Sequence, residues 1–310
     1  MTLISIVVPC YNERENIEST CRELIEKMRS IHNNYEIIFV DNGGTDGQIK
    51  EMEKAHLQNP EHVKVISLSR NFGYQMSMSA GLEYVSGDAV VIIDADLQDP
   101  PSMIKDFLEK WRDGYDVVYG IREKRKAPLI LKIFYKLFYK ILRKTSDVDI
   151  PLYASEFGLM SKKVVDHIRN MPENIRFIRG LRAWVGFSQI GIPYSREGRE
   201  KGKTKFRVFD IIVLGLDGIL SFSTRLLTYI LLIGLGTTIF SVILLIYILL
   251  LKFISGVQTE GYAAIMVAIS FFSGIIILML GIVGAYIERI FLEIKSRPNF
   301  IVRETLGFTK

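Results

Sequence analysis

Short apolar runs alternate with amphipathic stretches over the first part of the chain. The apolar runs lie at 3–8, 36–40, 63–68 and 89–93, and helical periodicity extends over about 17–28. The run at 89–93 has no polar interruption, which is typical of a strand buried on both faces. Strands that alternate with helices predict an α/β fold, Rossmann-like, with a mostly parallel sheet whose ligands bind beyond the carboxyl ends of the strands.

Two carboxylates directly follow the run at 89–93. Asp94 and Asp96 are one residue apart, and Pro100 and Pro101 precede a helical stretch at 102–113. Carboxylates at this spacing in an extended segment can hold one divalent cation, and oxygen ligands suit Mg²⁺ or Mn²⁺ completed by substrate phosphates. Capping of the following helix is the alternative. The buried strand before the pair favours a diphosphate and metal site.

A second acidic position follows the run at 36–40. Asp41 opens the turn DNGGTDG at 41–47, which contains three glycines and a capping Asp46. Glycines at these positions indicate a tight turn between a strand and a helix. We therefore expect Asp41 at the same sheet edge as Asp94 and Asp96.

The excess of apolar residues lies near the end of the chain, which has 310 residues, 49% of them apolar. Segments 226–253 and 262–287 are long enough to cross a hydrocarbon core of about 30 Å, and we predict two transmembrane helices. The connecting loop carries Lys252 and Glu260, whereas the outer flanks carry the basic residues Arg225, Arg289, Lys295, Arg297 and Arg303. This asymmetry predicts a multi-pass protein of the cell membrane with both termini and the N-terminal domain in the cytoplasm.

The composition disfavours a disulfide-rich protein and a zinc protein. Cys10 and Cys21 are too few for a disulfide framework, and the four histidines are scattered. No zinc site, signal peptide or nucleic-acid partner is expected.

Four motifs in order resemble a known family. They are VPCYNE at 8–13, VDNGGTDG at 40–47, SRNFG at 69–73 and DADLQDPP at 94–101. Together they resemble the family 2 glycosyltransferases of GT-A fold. More narrowly, they are similar to the polyprenyl-phosphate glycosyltransferases, bacterial relatives of dolichol-phosphate mannose synthase with two C-terminal transmembrane helices.

The resemblance implies a function and a set of site residues. The expected reaction moves a sugar from a nucleotide diphosphate, UDP in particular, to polyprenyl phosphate, undecaprenyl phosphate in particular, on the cytoplasmic leaflet with inversion. Asp94 would touch the ribose or diphosphate, and Asp96 would hold the metal. The nucleotide would be lined by Pro9, Tyr11, Glu13 and Asp41.

Two departures from the family pattern bear on these roles. The family commonly has Asp-Asp-Gly-Ser where this chain has DNGG at 41–44, so Asn42 replaces a carboxylate with an amide on the nucleotide side. The family usually has Asp-x-x-Asp-Phe-x-Leu-Met near the acceptor, and the aligned segment here is YASEFGLM at 153–160. Glu156 takes the position of the proposed base, and Tyr153 replaces the first acid.

Basic residues recur between the sheet and the membrane segments. Lys132, Lys136, Lys140 and Lys144 form a stripe on 128–144, which predicts an interfacial helix on anionic headgroups rather than the solvated face of a core helix. Segment 206–225 predicts a juxtamembrane amphipathic helix. The segment with Arg196, Arg199 and Lys205 resembles the family's loop that closes over diphosphate. A solvated loop is the ordinary alternative. Arg122 and Arg125 are further candidates for the lipid phosphate.

These segments define the expected organisation. Residues 1–205 form a cytoplasmic catalytic domain, and 288–310 form a cytoplasmic tail. Ser270, Gly274, Gly281 and Ala285 share one face of the second span, so packing within the hairpin, packing between subunits of a homo-oligomer and ordinary membrane glycine usage all stay open. A processive polysaccharide synthase and a catalytically weak lipid-binding or assembly protein that keeps the fold are the alternative functions.

Overall fold

A computed structural model describes residues 2–122, 154–174, 176–195, 225–255 and 261–308. The predicted interfacial helix at 128–144 lies outside the described residues, as does the juxtamembrane helix at 206–225 apart from Arg225. Tyr153, Arg125, Arg196, Arg199 and Lys205 also lie outside them.

The described residues form one eight-stranded sheet in the order β7-β5-β6-β4-β1-β2-β3-β8. The strands are β1 (Ile4–Cys10), β2 (Tyr35–Asp41), β3 (Val63–Leu68), β4 (Ala89–Ile92), β5 (Val117–Arg122), β6 (Ala154–Ser161), β7 (Gln189–Tyr194) and β8 (Val302–Leu306). Strand β1 is parallel to β2 and β4, β2 to β3, and β5 to β7. Strand β6 is antiparallel to β4 and β5, and β8 is antiparallel to β3. The predicted α/β class with a mostly parallel sheet is confirmed.

Helices cover both faces of the sheet. They are α1 (Arg14–Ile31), α2 (Gln48–Gln58), α3 (Tyr74–Tyr84), α4 (Met103–Arg112), α5 (Lys162–Arg169) and α6 (Ile178–Trp184), followed by α7 (Arg225–Ser255) and α8 (Tyr262–Ile294). Because strand side chains alternate between faces, Ile6 and Val8 enter the core beneath α1, α2 and α4, whereas Val7 enters the core beneath α3, α5 and α6. Two buried cores therefore hold the strand ends in fixed positions.

The predicted strands agree with the structure except near Pro9. The predicted apolar run ends at residue 8, but β1 continues through Pro9 to Cys10. The Asn42 N–H bonds the Cys10 carbonyl at 2.9 Å on the β2 side, and the Ile93 N–H bonds the Val7 carbonyl at 3.1 Å on the β4 side. Backbone groups of successive residues point to opposite neighbours, so those of Pro9 point toward β4. The pairing with β4 ends at Val7 and Ile92, so no ladder hydrogen bond requires the N–H that proline lacks.

The two long C-terminal helices contain both predicted membrane segments. Helix α7 includes 226–253, and α8 includes 262–287. Among the described residues, Phe271–Ile294 has the length and composition to cross a membrane. A side-chain carbon added at Gly274 or Gly281 would meet no described atom within 4 Å, so that face of α8 is unpacked in the described part of the chain. The two-helix transmembrane hairpin stays a prediction.

The segment predicted as a tail returns to the sheet. Strand β8 pairs with β3, which the sequence analysis does not predict. The Ser69 N–H donates to the Ile301 carbonyl at 2.9 Å, and Arg303 Nη2 donates to the Ser69 carbonyl at 2.8 Å. The end of the chain is thus attached directly before the SRNFG motif.

Candidate active site

The predicted acidic residues meet at the carboxyl edge of the sheet. Cys10 at the end of β1 pairs with Asp41 at the end of β2, and Asp94 follows β4 on the other side of β1. The sheet order continues from β4 to β6 and β5, where Glu156 and Arg122 lie. The edge thus has an acidic side formed by β2, β1 and β4 and a second side formed by β6 and β5.

The loop after β4 is held in a strained conformation. Leu97 has a φ of +53°, a region that a bulky residue rarely adopts. The Ala95 carbonyl accepts a 2.7 Å hydrogen bond from Thr20 on α1, and the Asp96 carboxylate accepts one of 3.2 Å from the Gln98 N–H. Strain of this kind persists only where neighbouring contacts fix it, and it concentrates at functional sites.

The helix-capping alternative for the Asp-x-Asp pair does not describe the structure. Helix α4 begins at Met103 with Ser102 at its N-cap position, several residues beyond Asp96. The Asp94 carboxylate instead accepts a 2.5 Å hydrogen bond from the Tyr74 hydroxyl. Burial, followed by the charge of Asp94, raises the pKa of Tyr74, so the phenol stays protonated and donates.

The chemistry of this pair fits a hard divalent cation. Among the described residues no cluster of three or more histidine, cysteine or acidic side chains has metal-binding geometry. Mg²⁺ sites that also bind substrate phosphates need only one or two protein carboxylates. Asp94 and Asp96, the latter 7% exposed, supply that number at the end of a rigid strand.

Asp41 fixes the turn after β2. Its carboxylate accepts hydrogen bonds from the Gly44 N–H at 2.9 Å, from Gln48 Nε2 at 2.5 Å and from Ser67 Oγ at 2.9 Å. Gly43 has a φ of +66°, and an added side-chain carbon would lie 2.4 Å from the backbone carbon of Arg70. The turn therefore packs tightly against the loop after β3.

Asn42 connects these two loops through its side chain. Its Oδ1 accepts a 2.9 Å hydrogen bond from the Phe72 N–H, and its Nδ2 donates to Asn71 Oδ1 at 3.0 Å. A carboxylate at this position could still accept from Phe72 but could not donate to Asn71. The amide, a departure from the family pattern, is thus matched to a local partner.

The remaining predicted nucleotide residues follow β1. Pro9 and Cys10 are the last two residues of β1, and Tyr11 is 37% exposed. The Glu13 carboxylate accepts from Asn16 Nδ2 at 2.6 Å, and the Glu13 N–H donates to Gln48 Oε1 at 2.8 Å. Gln48 therefore joins the turn after β1 to Asp41.

Glu156 lies among basic and amide groups on the other side of the edge. Its carboxylate accepts hydrogen bonds from Arg179 Nε at 3.1 Å and from Gln75 Nε2 at 3.2 Å. Burial favours the protonated acid, but the charges of Arg179 and Arg182 outweigh it and lower the pKa of Glu156. Glu156 is therefore ionised at neutral pH and is a weak base.

Arg122 is held by a second pair of side chains. Its Nε donates to the Tyr194 hydroxyl at 3.1 Å, and its Nη2 lies 3.7 Å from Asp99 Oδ2. Burial opposes the charge of Arg122, yet Asp99 and Tyr194 raise its pKa above the usual value. The guanidinium is thus permanently charged.

Several residues of this edge were not predicted from the sequence. Tyr74, Gln75 and Gln48 begin helices directly after the glycine-containing motifs, and that position was the only sequence signal for them. Asp99 lies in the DADLQDPP motif but was given no role, and Tyr194 had no sequence signal. Arg125, Arg196, Arg199 and Lys205 lie outside the described residues, and their assignment to the site stays a prediction.

The fold and the placement of the carboxylates are those of α/β proteins, a class whose ligands bind beyond the carboxyl ends of the parallel strands. The sequence profile of glycosyl transferase family 2 matches residues 5–169. The chain belongs to this family.

Relatives match the chain over nearly its whole length. An uncharacterized glycosyltransferase of Synechocystis sp. is 39% identical over 98% of this chain and 96% of its own. The SfII prophage-derived bactoprenol glucosyl transferase of Shigella flexneri is 35% identical over 97% of this chain and 98% of its own. The prophage bactoprenol glucosyl transferase homolog of Escherichia coli is 36% identical over the same shares. The predicted resemblance to polyprenyl-phosphate glycosyltransferases is confirmed.

Solved structures show a more distant similarity. A mannosyltransferase from Pyrobaculum calidifontis in complex with GDP-Man and Mn²⁺ has a TM-score of 0.44 at 18% identity, over 61% of this chain and 54% of its own. Glucosyl-3-phosphoglycerate synthase from Mycobacterium tuberculosis has a TM-score of 0.47 at 18% identity, over 71% of this chain and 78% of its own.

Proposed function

We propose that this protein transfers one sugar from a nucleotide diphosphate sugar, UDP-linked, to polyprenyl phosphate, in particular undecaprenyl phosphate. The product is a lipid-linked sugar for cell-envelope glycosylation, formed on the cytoplasmic leaflet. The observation that carries the proposal is the division of one sheet edge into an acidic side, with Asp94 and Asp96, and a side with Arg122 and Arg179. The bactoprenol relatives support the choice of acceptor.

The acidic side would receive the donor. Pro9, Tyr11, Glu13, Asp41 and Asn42 form the floor around β1 and β2, with Asp41 and Asn42 acting mainly by fixing the loops that surround the nucleotide. A diphosphate beside Asp94 and Asp96 requires compensating positive charge, and Mg²⁺ or Mn²⁺ held by these carboxylates would supply it and stabilise the leaving group.

The basic side would receive the acceptor phosphate. Guanidinium groups bind phosphate oxygens in pairs, so Arg122 and Arg179 are suited to orient a lipid monophosphate. One phosphate oxygen attacks the anomeric carbon while the bond from that carbon to the diphosphate oxygen breaks. The electron pair leaves with the nucleoside diphosphate, and a single displacement inverts the anomeric configuration.

Glu156 has a supporting role in this scheme. A phosphate monoester has a second pKa of about 6, so the acceptor is mostly a dianion at neutral pH. Its attack therefore needs no strong base. The low pKa of Glu156 matches this reaction, because an ionised carboxylate beside Arg179 fixes the arginine and balances its charge.

The long C-terminal helices would place this site near the lipid. Helices α7 and α8 are proposed to form the transmembrane hairpin, and the unpacked glycine face of α8 is available to a second copy in a homo-oligomer. The segments 128–144 and 206–225 would lie in the interface between membrane and cytoplasm.

A product assay tests the proposal. The full-length protein in liposomes receives undecaprenyl phosphate and a panel of nucleotide sugars with Mg²⁺ or Mn²⁺, and mass spectrometry identifies the lipid product. We expect one sugar per lipid and no product from Asp96→Asn. Products with several sugars would indicate a processive synthase, and lipid binding without any product would indicate a lipid-binding or assembly protein.

A further inference from the structure

Three side chains from three separate elements meet beside the acceptor side of the site. The Tyr194 hydroxyl, at the end of β7, donates a 2.5 Å hydrogen bond to Asp99 Oδ1 and accepts one of 3.1 Å from Arg122 Nε. Asp99 Oδ2 lies 3.7 Å from Arg122 Nη2. We call these residues the Asp99–Tyr194–Arg122 network.

The network is built into the sheet rather than resting on its surface. Asp99 is 1% exposed and Tyr194 is 5% exposed. The Tyr194 ring packs edge-on against Phe157 at 5.7 Å, and a side-chain carbon added at Gly120 would lie 2.6 Å from Cε1 of Tyr194. Glycine at 120 thus leaves the space that lets the tyrosine reach Asp99.

The directions of the hydrogen bonds are fixed by chemistry. Burial and the charge of Asp99 raise the pKa of Tyr194 to about 12, so the phenol remains a donor to the carboxylate. Arginine has no acceptor, so the bond between Arg122 Nε and Tyr194 runs from the arginine. The Nε–Nη2 edge of the guanidinium therefore faces Tyr194 and Asp99, while Nη1 has no protein partner in the described part of the chain.

We propose that Asp99 and Tyr194 are positioning residues that orient the Arg122 guanidinium toward the phosphate of the acceptor. This inference rests on the proposed function and adds two residues to it. Asp99 belongs to the same DADLQDPP motif as Asp96, so the network also ties the acceptor arginine to the loop of the proposed metal site.

The expected kinetic signature follows from the charge change in the reaction. The acceptor phosphate loses charge as its oxygen bonds to the sugar, so Arg122 binds the ground state at least as strongly as the transition state. Loss of such an interaction raises KM and leaves kcat nearly unchanged. A purely structural defect has no reason to select the KM of one substrate.

The test uses the full-length enzyme in liposomes with undecaprenyl phosphate varied at saturating nucleotide sugar. Tyr194→Phe keeps the ring and removes both hydrogen bonds. We expect its KM for the lipid to rise by at least about 10-fold, the lower end of the range set by one hydrogen bond to a charged group. The kcat and the KM for the nucleotide sugar should stay within about twofold of wild type.

Two further variants separate positioning from packing. Asp99→Asn should shift the KM for the lipid in the same direction. In an Arg122→Gln background, Tyr194→Phe should add no further increase, because residues that act through one group are not additive. Tyr35→Phe, which removes a buried hydroxyl at the opposite edge of the sheet, is the matched control and should leave the lipid KM unchanged.

The outcomes are distinguishable. An unchanged lipid KM in Tyr194→Phe, or a further increase in the Arg122→Gln background, overturns the positioning role while wild-type product formation keeps the proposed function intact. A wild-type enzyme that makes no lipid-linked sugar overturns the proposed function, and the positioning role with it.

Discussion

Replacing Glu156 with glutamine removes a buried charge while keeping the shape of the side chain. The carboxylate is 7% exposed and lies 3.1 Å from Arg179 Nε, and the neighbouring Arg182 is 3% exposed. Glu156→Gln therefore removes the carboxylate that faces Arg179 and Arg182. It tests whether this residue acts as a base or as the anion that fixes Arg179.

The structure sets the expected loss of stability. Removing one partner of a buried ion pair costs about 3–5 kcal/mol. The Arg179 side chain keeps 19% exposure and can be partly hydrated, so we expect a smaller loss of about 2–3 kcal/mol, near that of a hydrogen bond to a charged group. At about 2–4 °C per kcal/mol, the melting temperature should fall by roughly 4–12 °C.

The pH dependence of this loss has a defined sign. The pKa of Glu156 is lower in the folded protein than its usual value of about 4.3, so its stabilising effect is present above that pH. The effect disappears as the pH falls through the lower folded pKa. The difference in melting temperature between wild type and Glu156→Gln should therefore be full at pH 6–8 and shrink below about pH 4.

Activity measurements on the same variant separate the two roles. We expect kcat/KM to fall by about 3- to 10-fold, the loss from a displaced Arg179, with a nearly constant ratio from pH 6 to 8. Asp113→Asn, which breaks the exposed pair with Lys110, is the matched control and should leave the melting temperature nearly unchanged. A Glu156→Gln enzyme that is inactive at every pH yet as stable as wild type would show that Glu156 is a strict base.

Three further changes have distinct expected outcomes. Asp96→Asn should reduce turnover by about 100-fold or more with a normal melting temperature, and near-wild-type rates with Mg²⁺ or Mn²⁺ would remove the metal-ligand assignment. Gly43→Ala forces a carbon to within 2.4 Å of the Arg70 backbone and should cost about 2–4 kcal/mol in thermal unfolding, whereas Gly114→Ala, with φ of +101° and open space around it, should cost only about 1 kcal/mol. Deletion from residue 302 onward uncovers the β3 edge and should increase aggregation in size-exclusion chromatography, and unchanged monodispersity would contradict this.

Local patterns were sufficient to predict the elements that place the site. The central strands are mostly apolar, and the carboxylates that follow parallel strands reach one edge of the sheet. For this reason Asp41, Asp94 and Asp96 are where the sequence predicts them. Pro9 differs because its tolerance depends on how far the neighbouring strand extends, which no local pattern records.

The partners of the site residues could not be predicted in the same way. Glu156 is bonded to Gln75 and Arg179, which are 81 and 23 residues away in the chain. From the sequence, Asn42 is only a departure from the family motif. Its role follows from its hydrogen bonds with Asn71 and Phe72, which the structure shows. Strand β8 is short and partly polar, so only its pairing with β3 identifies it as part of the sheet.

The pairing of β8 with β3 also restricts how many times the chain can cross a membrane. Both strands belong to one sheet, so Tyr194 and Val302 must lie in the same compartment. Any membrane crossings in that interval must be even in number. If Phe271–Ile294 crosses, another segment must cross back, and α7, with 31 residues, is the described helix long enough to do so. A single-pass arrangement of this chain is incompatible with its own sheet.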